Sequence, residues 1–148
     1  MGSIPLEVLI AVGFPLVFAA FWLAITWTIG RLSGWHYLAE RFPNRHEPPL
    51  KEFAWRSGRM GALGARFNRV LTLSVCPSGI RFAVFWMFAA SNRPFFVPWD
   101  RIHAEDTKGM IFDETRLLFG QPAQGELTIL RSLADEISAA APKGKWRR

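Results

Sequence analysis

One feature constrains this chain before any other: from Val8 to Ile29, "VLIAVGFPLVFAAFWLAITWTI", 22 residues pass without a charge. As a helix rising about 1.5 Å per residue the run is roughly 33 Å long, enough to cross a hydrocarbon core of about 30 Å. It predicts a transmembrane helix within residues 1–30. A cleaved signal peptide would want a basic start, a shorter apolar core and a small-x-small cleavage site, and the run has none of these. Pro15 inside it is compatible with a membrane helix, where neighbouring groups re-satisfy the freed carbonyl. Ahead of the run Glu7 is the one charged side chain, whereas Arg31, Arg41, Arg45, Lys51, Arg56 and Arg59 come after it. The positive-inside bias therefore predicts an outer amino terminus and a cytoplasmic carboxyl side. Trp27 and Trp35 fall near the predicted inner edge, where an indole keeps its ring in the interface and its N–H wet.

The remaining composition fits this placement. A net charge of +6 suits either nucleic acid or anionic lipid, and beside a span the lipid bilayer is the favoured partner, each well-placed basic residue contributing about 1 kcal/mol. Aromatic residues sit in apolar runs rather than interleaved with exposed basic ones, which argues against nucleic acid. The single cysteine, Cys76, has no partner for an internal disulfide and reads as a small apolar residue beside a turn.

Residues 31–50 join the span to a β-rich region. Ser33 is placed as an N-cap, Trp35, Leu38, Ala39 and Phe42 recur at helical spacing, and Pro43 ends the segment, which predicts a short amphipathic helix lying on the interface or on the domain. "PNRHEPP" is then a short, stiff linker. Residues 51–142 read as β-structure closed by a helix. A strand is expected over 53–60, and a hairpin with strands near 69–75 and 80–88 turns at "CPSG". Further strands are expected over 94–106, 110–120 and 125–130, with Pro98 marking an edge or bulge. Ser132 opens a final helix with Asp135 three residues on. The tail, 143–148, reads as solvated or, through Trp146 and its basic neighbours, as a headgroup contact. Five or six short strands in series predict an antiparallel sandwich or barrel.

Three stretches together, "SGWHYLAERFP" beside the span, "FNRVLTL…SGIRF" and "FFVPWDRI", resemble a group of uncharacterised bacterial single-span membrane proteins with a pleckstrin-homology-like soluble domain, over residues 31–137. The resemblance implies a curved antiparallel sandwich closed by a carboxyl-terminal helix and a location at the bacterial inner membrane. It also implies that basic residues of the first hairpin region, here Arg56, Arg59, Arg66 and Arg69, meet lipid phosphates, for which the arginine fork is well shaped.

The segment 93–102, "RPFFVPWDRI", admits three readings: a core strand, a protein interface, or part of a membrane-dipping hairpin end "FWMFAASNRPFF". In a strand Phe95, Val97 and Trp99 share one face and Phe96 takes the other. Trp35, Trp86, Phe88, Phe95 and Phe96 are accordingly the expected membrane or partner contacts. No cofactor, catalytic residue or metal is expected. His103 and Glu105 share a strand face but make only half of a metal site, and "GRMGALGAR" lacks the Lys-Ser/Thr ending of a phosphate loop. The expected function is a non-enzymatic, membrane-anchored binding module facing lipid or a protein partner; the alternative is an accessory subunit packed among other membrane-protein subunits.

Overall fold

The computed structural model describes residues 2–61, 65–89, 92–109, 111–120 and 122–146, less the side chains of residues 32, 33 and 65. Helix α1 (Leu6–Ser33) is followed by α2 (Trp35–Arg41), then strands β1 (Lys51–Met60), β2 (Ala65–Val75) and β3 (Gly79–Val84), the single turn α3 (Trp86–Ala89), and β4 (Phe95–Pro98). A 3-10 turn (Trp99–Arg101), β5 (Ile102–Lys108), β6 (Asp113–Phe119), β7 (Gly125–Leu130) and α4 (Arg131–Ala140) complete the order. Helix α1 is long and apolar enough to cross a membrane, and none of its most apolar window is buried by the rest of the chain.

The seven strands form one antiparallel sheet in the order β4-β3-β2-β1-β7-β6-β5, curled into a half-barrel. The alternation that predicted strands also fills its inside: Leu71, Leu73 and Val75 on β2, Ile80, Phe82 and Val84 on β3, Leu117 and Phe119 on β6, and Leu127 and Ile129 on β7 are all buried. Aromatic rings tie the two halves together, Phe82 lying 5.0 Å from Phe95 and 5.2 Å from Phe119. Each such ring stabilises the fold by roughly 2–3 kcal/mol through burial, which matters for a domain this small.

Helices cover the sheet where it would otherwise be open. The stripe on α2 packs on the domain: Trp35, Leu38 and Ala39 are buried, Trp35 meets Phe67 and Phe95 at 5.6 and 4.8 Å, and Leu38 sits against Gly125, where a Cβ would meet it at 2.6 Å. Helix α4 covers β6 and β7 with Leu133, Ala134 and Ile137. Neither cap position holds the expected serine. Gly34, in the left-handed region at φ 85°, ends α1 and opens α2, because the sharp corner needs a conformation that glycine adopts without strain. Leu130 occupies the cap position of α4, whose first residue is Arg131.

Several expectations differ from the fold, the first being the strand over 94–106, which the 3-10 turn at Trp99–Arg101 splits into β4 and β5 at opposite edges of the sheet. Strand β3 stops at Val84 rather than running to residue 88, because after one more bond in register, from the Phe85 N–H to the Val70 carbonyl, the chain turns into α3, where the Phe88 N–H donates to the Phe85 carbonyl. The segment 93–102 is core, yet on both faces: Phe95, Phe96, Val97 and Trp99 are all buried. The second face is closed by the linker, since the Phe96 N–H donates to the Phe42 carbonyl at 3.1 Å and the Arg45 guanidinium lies 5.2 Å from the Phe96 ring. Arg81 fastens that linker by donating to Asn44 Oδ1 at 2.9 Å and to the Arg45 and Glu47 carbonyls. Finally, the tail is ordered through Trp146, whose ring stands edge-on to Trp99 at 6.1 Å; residues 147 and 148 lie outside the described residues.

Candidate functional site

Two surface features bring together some of the residues singled out by the sequence. The first lies where α1 meets the domain. Hydrogen bonds and packing grip the last three turns of α1: Trp22 Nε1–H donates to the Met87 carbonyl at 3.0 Å, its ring lies 5.1 Å from Phe88, and Thr26 is 2% exposed. Asn92 donates to the Thr26 carbonyl at 3.5 Å and to the Phe88 carbonyl at 3.1 Å. Gly30 is buried, and a Cβ there would overlap Asn92 Oδ1 and stand 2.6 Å from His36 Nε2. The absence of a side chain thus lets the helix approach the domain closely.

Around this joint α3 carries an apolar surface. Trp86 is 73% and Met87 41% exposed. Trp55 joins them from β1 through two register irregularities between Phe53 and Gly58. It stands at φ 58°, 62% exposed, with its ring 5.2 Å from Phe85, which in turn lies 5.5 Å from Trp86. The patch runs on into α1, where Phe14, Phe18 and Trp22 stack at successive helical turns, each pair 6.3 Å apart.

The expected contacts divide on this geometry. Trp86 and Phe88 lie at the joint, Trp86 facing outward and Phe88 half-buried on Trp22. Trp35, Phe95 and Phe96 do not reach a surface: at 0–1% exposure they are core, because α2 and the linker cover the positions that a bare sheet would have presented. Trp22, Trp55, Phe85 and Met87 were not singled out by the sequence. For Trp55 strict alternation hides the signal, since it predicts the same face as Phe53, and the bulge reverses it.

The second feature is a cleft of about 450 Å³ beside the β1–β2 hairpin, lined by Ser57, Arg59, Arg66, Asn68, Phe112 and Glu114 among others. Arg59 and Arg66 are directly opposed across the strands, but Arg59 is ion-paired with Glu114, which neutralises half of the pair's charge. Arg56 points elsewhere, bound to Glu136 of α4 at 3.1 Å. Arg69, at φ 57°, donates its backbone N–H to Ser57 at 2.8 Å. The four arginines therefore do not converge on one phosphate. His103 and Glu105 lie 3.7 Å apart, and Glu105 also binds Arg116 at 3.0 Å; among the described residues no group of three metal-ligating side chains comes together. Cys76 is buried, and burial pushes its thiol above the ordinary range, with Arg81 pulling the other way. Compared with protein-family models, with curated proteins and with solved structures, the chain matches none.

Proposed function

We propose that this chain is a single-span, membrane-anchored binding module without catalytic activity, its half-barrel domain held at the cytoplasmic face of a bacterial inner membrane. The observation that carries the reading is the joint between α1 and the domain. A helix used only as a flexible tether would leave its last turns free, whereas here Trp22, Thr26 and Gly30 are packed or hydrogen-bonded to α3 and Asn92. A domain fixed in that way presents one defined face to the bilayer and the rest to the cytosol. The basic residues after the span support the cytoplasmic placement. Seven antiparallel strands in this order, closed by one carboxyl-terminal helix, support the pleckstrin-homology-like reading.

Ligands of the module are lipid or a protein partner. Arg66 and Arg69, for which no ion pair is found among the described residues, are the arginines best placed for diffuse attraction to anionic headgroups, an interaction that salt screens. Purification of the full chain in mild detergent tests the reading. A monodisperse monomer or dimer is expected; a chain that aggregates alone and elutes only at fixed stoichiometry with other integral membrane proteins would assign it instead as an accessory subunit of a larger complex.

A further inference from the structure

We infer that α3 and Trp55 form a wedge that enters the inner-leaflet lipid alongside α1, giving the domain a second, monotopic hold on the bilayer. The inference rests on the reading of α1 as a span and adds to it a depth and an occupant for the aromatic patch.

Depth is set by α1 itself. Trp22 lies nine residues before Arg31, the first charge after the apolar run, so it stands about 13 Å along the helix toward the bilayer centre from that charge. The Trp22–Met87 hydrogen bond fixes α3 at the same level. From Phe82 to Asn92 the chain carries no charge, and Arg81 and Arg93 bracket it, so nothing in the segment resists transfer into lipid.

Irregular backbone at membrane depth is tolerated only where its polar groups are satisfied within the protein. The wedge meets part of that condition: the Phe85, Met87 and Phe88 carbonyls have partners within the protein, whereas the buried Asn92 Oδ1 has none among the described residues. The Met87 carbonyl receives the Trp22 indole N–H at 3.0 Å. The Phe88 carbonyl receives both the Asn92 side-chain amide and the Asn92 N–H, each at 3.1 Å. The Phe85 carbonyl receives the Phe88 N–H, and the Phe85 N–H donates to Val70, both at 2.8 Å. A loop built to face water needs no indole from another helix to meet one of its carbonyls. The side chains left outward, Trp55, Trp86 and Met87, are apolar or interfacial, and they continue the exposed aromatic ladder of α1 without a polar break. Lipid is the occupant this continuity favours.

The test uses the full chain in a Cys76→Ala background, reconstituted into vesicles of phosphatidylethanolamine and phosphatidylglycerol, with one environment-sensitive fluorophore at a time on Val12→Cys, Met87→Cys or Asp100→Cys. Asp100 is exposed and shares a recess with Ser78, at the end of β3 opposite α3. Nitroxide-bearing acyl chains are expected to quench the probe at residue 87 severalfold more than the probe at residue 100, with Val12 quenched as the span control. Equal, weak quenching at 87 and 100 with Val12 still quenched would overturn the wedge and leave the anchor standing. Loss of quenching at Val12 as well would overturn both. Shielding of residue 87 together with 87-to-87 crosslinking would show that a second copy, not lipid, covers the patch, and would equally overturn the inference.

Discussion

Single residues decide the contacts that matter here, and their identities were unevenly legible. Pro98 signalled an edge or a bulge, and it sits in the edge strand β4, where a residue without an N–H costs no ladder bond. Trp55 and Arg69 were not legible in their roles: both occupy left-handed backbone, at φ 58° and 57°, a conformation no side-chain pattern announces. Cys76 was readable as a small buried residue, and that burial governs its chemistry. Burial disfavours the thiolate, so the folded thiol titrates above the unfolded one. Below the ordinary thiol pKa both states hold the proton and stability is unaffected. Above it the unfolded chain alone releases its proton, and stability falls as pH rises toward the folded value. Maleimide labelling of the native protein at pH 8 should therefore be slow, should accelerate with pH beyond the ordinary thiol range, and should become fast in denaturant at any of these pH values. Rapid labelling of the folded protein at pH 8 would contradict the burial.

At the scale of elements, period and punctuation located most strands, because a half-barrel buries one face and writes that face into the sequence as alternation. Burial on both sides erased the signal in β4, where Phe95, Phe96 and Val97 are all interior. What covers Phe96 is the linker, and no local pattern states that Arg81 will fasten residues 44–47 over it. The joint between α1 and α3 is also a long-range fact: Trp22 and Met87 are 65 positions apart. Gly30 marks it, since the last turns of α1 approach Asn92 and His36 more closely than a Cβ allows. Gly30→Val should push α1 away from the domain and destabilise the joint by about 1–3 kcal/mol, as overpacking does. Amide hydrogen exchange in detergent checks it: faster exchange confined to α3 and residues 92–93 is expected, and unchanged protection there would contradict the close approach. The split of the four arginines was likewise invisible in sequence. Arg56 and Arg59 are claimed by Glu136 and Glu114, 80 and 55 positions away.

For the whole molecule, an apolar helix and a half-barrel joined by a packed contact make one amphiphilic body rather than a soluble domain on a string. Its apolar end consists of α1, α3 and Trp55, and its polar end of the turns near Ser78 and Asp100. On the proposed placement, the net charge of +6 would add electrostatic attraction to an anionic leaflet, with a reach of one Debye length. On the proposed reading, this body is disposed across a membrane with its amino terminus outside and its domain inside. Single cysteines at Ser3 and Lys108, both exposed, in the Cys76→Ala background and in intact bacterial cells, test it most directly with a membrane-impermeant maleimide. Labelling of residue 3 before permeabilisation and of residue 108 only after it is the predicted result; labelling of residue 108 in intact cells, or of neither site until the cells are opened, would contradict the account.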